Sequence, residues 1–242
     1  MGRRSRRLDA GRKTWQVWAF GLAGLVLVAV AVVAWSYLSG ISESKDQSGQ
    51  ASIIAAPDSP CNMGASDREV LDSGSGIDWR SVSSGTDLGF VKDVGPGLVT
   101  KAGAPRCFER SRAGMALAAI DIWQAWDSSA RPDVVKFSIS GPNLAQARQI
   151  TADFDKADLD NLAVRGGSKV FAYRVTGYGK VNGEVELVSD TPIGTSVWVK
   201  MPMEFTGGDW HWRMVFGSDH MKVLDQLDLD DSWTFIREGD YD

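Results

Sequence analysis

The pattern of apolar and polar positions divides the chain into segments of different periodicity. No charged residue occurs between positions 14 and 42, and residues 15–38 form a continuous, largely apolar run of 24 residues. At about 1.5 Å of rise per residue, this run would form a helix of roughly 36 Å, which is enough to cross a ~30 Å hydrocarbon layer with some tilt. We therefore predict a transmembrane helix over residues 15–38.

The residues around this run indicate its orientation. Aromatic side chains stand at both ends, where amphipathic rings prefer the lipid–water boundary; they are Trp15, Trp18, Trp35 and Tyr37. Residues 1–14 carry six basic side chains, which are Arg3, Arg4, Arg6, Arg7, Arg12 and Lys13. The positive-inside rule makes residues 1–14 a cytoplasmic tail and places the residues after the span outside the plasma membrane. Contact of the tail with anionic lipid or with an ATPase partner is the alternative to a purely topological role.

A cleaved signal peptide is the competing interpretation of the run. The apolar core of a signal peptide usually has about 7–15 residues, and the sequence WSYLSGISES that follows offers no well-placed A-x-A cleavage site. A lipoprotein is disfavoured because Cys61 lies far beyond the run. The sequence therefore favours a single-pass signal anchor, with the lipid bilayer as its first partner.

The next segment, residues 39–60, is polar and rich in small residues, which is typical of a flexible linker with an r.m.s. reach on the order of 25 Å. The chain has two cysteines, Cys61 and Cys107, and two histidines. In an oxidising compartment two cysteines are more often bridged than free, so we predict a disulfide, with two buried thiols as the alternative. These residues lack the spacing of a metal site, and we predict neither a metal nor a cofactor.

Residues 61–242 are predicted to form an extracytoplasmic α+β domain. Residues 66–106 are turn-rich, and a helix with Ser111 as N-cap follows, its apolar positions recurring every three or four residues up to Trp126. A second helix is predicted from Pro142. Alternating apolar positions then predict consecutive antiparallel strands over residues 169–179, 184–188, 195–206 and 208–216. The simplest packing lays the first helix across the concave face of a curled antiparallel sheet.

Aromatic residues are frequent in this domain. In the last predicted strand, one face carries Trp210, Trp212, Met214 and Phe216, and the other carries His211 and Arg213. The pairs Trp123/Trp126 and Trp210/Trp212 have two interpretations, a surface platform for carbohydrate or burial between helix and sheet. Burial is favoured because large aromatic side chains usually contribute to cores.

The segment CFERSRAGMALAA at residues 107–119 resembles uncharacterised single-pass proteins encoded by conjugative plasmids and integrative elements of high-GC Gram-positive bacteria. Cys61, the segment IDWRSV around Trp79 and the segment VGPGLV at 94–99 fit the same pattern, although Arg112-Ala113 replaces a frequent proline after Ser111. The layout is similar to that of the conjugation-channel scaffold proteins of type IV secretion. That resemblance implies a cystatin-like cone of the nuclear-transport-factor-2-like type as the exterior domain.

Signatures of catalysis are missing from the sequence. It contains no phosphate loop, dinucleotide fingerprint, H-E-x-x-H or G-x-S-x-G motif. The aspartates at 153–160 and 225–231 lack the EF-hand spacing, which favours solvated surfaces over calcium sites. Asp121, placed among apolar helix positions, is the one residue to check for catalysis, although a surface-facing or backbone-bonded aspartate is the favoured interpretation. The net charge of −5, despite the basic tail, argues against nucleic-acid binding by the exterior domain.

We therefore expect a non-enzymatic scaffold whose exterior domain binds other envelope subunits of a conjugative DNA-transfer apparatus. A ligand-binding or sensory exterior domain is the first alternative, and an enzyme that uses the cavity of the cone is the second. The sequence leaves the oligomeric state open.

Overall fold

The computed structural model describes residues 61–237 except 62, 72–75, 155–157, 159, 160, 162–166, 192, 193, 218 and 225–228. These residues belong to one compact unit, Ile54–Asp242. The predicted tail, span and linker at residues 1–60 lie outside the described part of the chain. Within that part, no helix has both the length and the apolar character needed to cross a membrane.

The described residues form three helices and eleven strands. The helices are α1 (Arg112–Trp126), α2 (Arg131–Phe137) and α3 (Leu144–Ala152). The strands before α3 are β1 (Asp78–Ser81), β2 (Asp87–Phe90), β3 (Leu98–Val99), β4 (Pro105–Arg106) and β5 (Ile139–Ser140). The strands after α3 are β6 (Lys169–Tyr178), β7 (Asn182–Asp190), β8 (Ser196–Thr206), β9 (Asp209–Arg213), β10 (Met221–Leu224) and β11 (Thr234–Phe235).

The predicted antiparallel strands form the centre of a seven-stranded sheet. Its order is β11-β6-β7-β8-β9-β5, and β10 pairs with β8 as well. Two strands share one edge of the long strand β8: β10 pairs with its first half and β9 with its second half. Two register shifts interrupt the pairing of β6 with β7, and such bulges increase the twist of a sheet. The α+β class and the meander β6–β9 are therefore confirmed.

Helix α1 is the centre of the core. It contacts β6, β7, β8 and β9 of the sheet, and the β1–β2 hairpin contacts it as well. Every residue from Ala113 to Ala125 is buried, because alanine, leucine and isoleucine occupy all sides of the helix. The sequence predicted only the face that packs on the sheet.

Several elements differ from the prediction. Strand β9 ends at Arg213, so Phe216 does not continue the buried face, and its side chain is 40% exposed. Helix α2 and the strands β5, β10 and β11 were not predicted, because segments of two to seven residues are too short to show a periodicity. The predicted second helix begins at Leu144 and has Asn143 as its N-cap, so Pro142 precedes the helix instead of opening it.

Candidate functional site

The candidate site is the junction where the start of the described chain meets the residues before α1. A disulfide joins Cys61 to Cys107, with a Cα–Cα distance of 4.8 Å. Both side chains are buried. The predicted bridge is therefore confirmed, and it links the start of the described chain to the segment that leads into α1.

Asp209, the first residue of β9, organises this junction. Its Oδ2 accepts the backbone N–H of Cys107 at 2.7 Å, and its Oδ1 accepts the N–H groups of Phe108 and Trp210, both at 2.9 Å. Cys107 has φ of 68°, a left-handed conformation that is strained for a residue other than glycine. The carboxylate thus holds a strained turn in place and lies 3.7 Å from the Sγ of Cys61.

Burial raises the pKa of Asp209, and the hydrogen bonds from the three backbone N–H groups oppose that rise. Burial also lowers the pKa of His211, the half-buried histidine two residues along β9. The sequence did not single out Asp209, since its partners lie about a hundred positions away in the chain. A lone aspartate after a Gly-Gly turn carries no local signal of this role.

The residues after Cys107 form the start of α1. Ser111 is the predicted N-cap, and its Oγ accepts the N–H of Gly114 at 2.9 Å and donates to the carboxylate of Glu109 at 2.8 Å. The Glu109 carbonyl also accepts the indole N–H of Trp210 at 2.9 Å. A Cβ on Gly114 would lie 2.0 Å from that carbonyl oxygen, so glycine is required there.

A metal at this junction is not supported by its chemistry. Cys61, Cys107 and Asp209 each bring one potential ligand atom within 4.8 Å of the others. The two sulfur atoms are bonded to each other, so neither is the thiolate that binds zinc. Among the described residues, no second such group of histidine, cysteine and acidic side chains is found.

Asp121, the residue to check for catalysis, lies in the middle of α1 and is fully buried. Its Oδ1 accepts the backbone N–H of Gly89 in β2 at 2.8 Å, whereas Oδ2 has no hydrogen-bond partner among the described residues. Burial raises its pKa well above the usual range, and the charge of Arg237 opposes that rise. Of the two favoured interpretations of this aspartate, surface-facing or bonded to the backbone, the structure shows the second.

Two open grooves lie on the described part of the surface, and Asp121 lines neither of them. A groove of about 650 Å³ runs beside the β6–β7 turn, between Tyr178, Asn182 and Arg213. Another of about 590 Å³ lies between β1 and the loop at 91–97, near Arg80 and Phe90. The buried carboxyl group of Asp121 therefore lies outside both grooves.

The tryptophans contribute to the core, as predicted. Trp123, Trp210 and Trp212 are at most 7% exposed, and Trp126 is half-buried. Trp212 makes edge-to-face contacts with Trp123 at 6.1 Å and with Trp126 at 5.8 Å between ring centroids. Three of these four rings are too buried to form a carbohydrate platform.

The remaining predicted positions divide into two groups. Asp153, Asp158, Asp230 and Asp231 are exposed, as expected for solvated aspartates, and Asp155, Asp160, Asp225 and Asp228 lie outside the described residues. The residues predicted for the membrane interface and for topology, at positions 3–37, also lie outside them.

Comparison with known proteins gives a family. Residues 42–234 match the domain of unknown function DUF8175. The chain belongs to the DUF8175 family. No curated protein and no solved structure matches it.

The DUF8175 match begins in the predicted linker and includes the disulfide, Asp209 and all three helices. The predicted membrane span at residues 15–38 precedes it. The junction of Cys61, Cys107 and Asp209 is therefore part of the DUF8175 domain itself.

Proposed function

We propose that this DUF8175 protein is a non-enzymatic, single-pass membrane protein that serves as a scaffold of a conjugative DNA-transfer apparatus. Residues 1–14 form its cytoplasmic tail, residues 15–38 cross the plasma membrane and residues 39–60 link the span to the exterior domain. That domain binds other envelope subunits of a machine similar to type IV secretion systems. It does not bind nucleic acid.

The observation that carries the proposal is the buried disulfide behind a long apolar run. Disulfides persist outside the cytoplasm and are rare within it. The bridge between Cys61 and Cys107 is therefore expected where the positive-inside rule also puts this domain. Two independent features of the chain, one of charge and one of redox chemistry, favour the same topology.

The arrangement of helix and sheet supports the scaffold assignment. Helix α1 packs on the antiparallel meander β6–β9, and this packing is compatible with the cystatin-like cone of the nuclear-transport-factor-2-like type that the resemblance implies. The assignment to conjugation rests on the resemblance of residues 107–119, and a shared fold alone does not determine function. In the proposed scaffold the exterior domain binds partner subunits through its surface and catalyses no reaction.

The surroundings of Asp121 favour a non-enzymatic role. A catalytic acid or base must lie within hydrogen-bond reach of a substrate. Asp121 is enclosed by α1 and β2, and its described hydrogen bond is to the backbone of Gly89. This contact makes it part of the packing between helix and hairpin.

Cross-linking with mass spectrometry on intact membranes tests the proposal. A tagged full-length chain is cross-linked in its native host, digested under non-reducing conditions and compared with a tagged, unrelated single-pass protein. Cross-links from residues 61–242 to envelope proteins of the transfer machinery, together with an intact Cys61–Cys107 peptide pair, are expected. An oxidised domain without protein neighbours would contradict the scaffold and favour ligand sensing. Reduced cysteines would contradict the topology.

A further inference from the structure

Strand β10 is an edge of the large sheet that lies open to solvent. It pairs with the first half of β8, and no strand among the described residues pairs with its other side. The two other edge strands of the sheet, β5 and β11, have two residues each, whereas β10 has four and contains no proline. Very short strands and prolines protect sheet edges from pairing with another chain, and β10 is the least protected of the three.

The backbone groups on the open side of β10 belong to Met221 and Val223. The carbonyl of His220 accepts the N–H of Lys200 in β8 at 2.8 Å. Because the backbone groups of an antiparallel strand alternate between its two sides, every second residue after His220 also faces β8. The N–H and C=O groups of Met221 and Val223 therefore point away from β8, and they have no backbone partner in the described part of the chain. Such groups are satisfied by water or by another extended backbone.

The side chains of the same two residues make this edge apolar. Met221 stands opposite Val199 and Val223 stands opposite Val197, and both of these valines of β8 are buried. Residues that stand opposite each other point to the same face of a sheet. Met221 and Val223 therefore continue the core face of β8, yet they are 56% and 63% exposed.

The charged residue of β10 does not guard the edge. Lys222 points to the opposite face of the sheet, where its Nζ lies 5.2 Å from the ring centroid of Trp198. This contact directs the ammonium group back over β8, whereas a lysine that blocks an edge directs its charge across it. The flanking acidic residues, Asp219 and Asp225, precede and follow the strand in the sequence.

A second copy of the chain fits this edge through a two-fold axis at Val223. In an antiparallel pair with this centre, Val223 stands opposite Val223 of the second copy, and the two residues exchange both N–H···O=C hydrogen bonds. Lys222 then stands opposite Leu224 of the second copy, so its methylene groups meet an apolar side chain. An axis at Lys222 would set two lysines opposite each other, which is unfavourable.

We propose that the chain self-associates by antiparallel pairing of β10 with β10 of a second copy, centred on Val223. The two sheets then continue into each other, and Met221 and Val223 of both copies form one apolar patch on the core side. This inference goes beyond the proposed function, which leaves the oligomeric state open. The contact is small and the two acidic domains repel each other, so the pair dissociates readily. Its detection therefore requires a covalent trap.

Disulfide trapping in the full-length chain tests the pairing. Cells that produce Val223→Cys are treated with a mild, membrane-permeant oxidant, while the two native cysteines are already bridged and buried. A hydrogen-bonded antiparallel pair sets its Cα atoms about 5.5 Å apart, which is within the range of a disulfide. The matched control is Phe235→Cys, which is 46% exposed in the edge strand β11. We expect at least fivefold more disulfide-linked dimer at position 223 than at position 235.

Two differently tagged copies test the register. One copy carries Lys222→Cys and the other Leu224→Cys, which the proposed pairing sets opposite each other with Cα atoms about 4.5 Å apart. We expect these two copies to cross-link. Two copies that both carry Lys222→Cys should cross-link at least fivefold less, and the reverse order would contradict an axis at Val223.

Val223→Pro blocks the pairing while leaving the contact of β10 with β8 in place. Proline lacks the N–H that points away from β8, and an edge strand tolerates this loss. Added to both tagged copies, it should reduce the cross-link between positions 222 and 224 to the background of position 235. The control Val223→Thr keeps the N–H and the branched side chain, and it should leave the cross-link unchanged. An intact Cys61–Cys107 bridge and unchanged circular dichroism show that both variants fold.

Two kinds of result would overturn the inference. The first is equal cross-linking at positions 223 and 235, or a cross-link between positions 222 and 224 that Val223→Pro leaves unchanged. The second is a disulfide between position 223 and a different protein in place of the dimer, which would assign the edge to a strand of that protein. These comparisons are between positions of one chain, so their outcome does not depend on the scaffold assignment.

Discussion

The domain buries two aspartates in very different surroundings. Asp209, at the junction with the disulfide, receives three backbone N–H groups on its two oxygens. Asp121, between α1 and the β1–β2 hairpin, receives one on Oδ1, and its Oδ2 has no described partner. Burial raises the pKa of both, but that of Asp121 rises well above its usual range because fewer donors stabilise the charged form.

The difference shows how the same side chain serves two purposes in one fold. At the junction the carboxylate replaces backbone partners that the strained turn at Cys107 could not otherwise provide. In α1 the carboxyl group of Asp121 accepts a single N–H from the hairpin, that of Gly89. Its second oxygen is buried without a described partner, which is unfavourable. The junction therefore satisfies both oxygens of its carboxylate, whereas the contact between α1 and the hairpin satisfies one of two.

Removal of the disulfide tests the rigidity of the junction and has the largest expected effect. In the chain-entropy model, a bridge across 46 residues stabilises the folded state by about 4 kcal/mol. We expect the double variant Cys61→Ala/Cys107→Ala to lose about that much unfolding free energy in urea denaturation of the full chain. A loss below about 1 kcal/mol would mean that the Asp209 hydrogen bonds alone hold the junction.

Asp209→Asn tests the carboxylate while leaving the bridge intact. If the amide oxygen accepts the N–H groups of Phe108 and Trp210, the amide nitrogen faces the N–H of Cys107, which is itself a donor. We expect a loss of about 2–3 kcal/mol in unfolding free energy, since a buried charge-assisted hydrogen bond is replaced by two facing donors. The matched control is Glu204→Gln, which removes a carboxylate from a surface ion pair and should cost less than about 1 kcal/mol. Equal losses in the two variants would contradict the role given to Asp209.

The sequence allowed α1 and the strands β6–β9 to be predicted because each is long enough to show its periodicity. It also predicted the partnership of Cys61 with Cys107, which follows from the number of cysteines and the predicted oxidising compartment. The role of Asp209 and the hydrogen-bond partner of Asp121 could not be predicted, because each aspartate accepts a backbone N–H from a segment distant along the chain. The burial of Asp121 depends on a hairpin at residues 78–90 whose turn-rich sequence indicates extended structure but not its place in the fold.

Asp121→Asn tests the environment of the second buried aspartate through the dependence of the unfolding free energy on pH. Between the unfolded pKa of about 3.8 and the raised pKa in the fold, the folded protein keeps a proton that the unfolded chain has released. Raising the pH through this interval therefore destabilises the wild type, with a slope of at most about 1.4 kcal/mol per pH unit from this group. Asparagine does not titrate, and its amide oxygen can still accept the N–H of Gly89.

Urea denaturation of wild type and Asp121→Asn at a series of pH values from 4 to 8 provides the measurement. The two unfolding free energies should lie close together at the acidic end, where both side chains are uncharged. As the pH rises, the unfolding free energy of Asp121→Asn should increase relative to that of the wild type. The curve of the control Glu204→Gln should stay parallel to the wild-type curve. Parallel curves for Asp121→Asn would show that the carboxyl group is ionised in the fold at the acidic end as well. The charge of Arg237, which already opposes the rise in pKa, would then be sufficient to stabilise the carboxylate despite its burial.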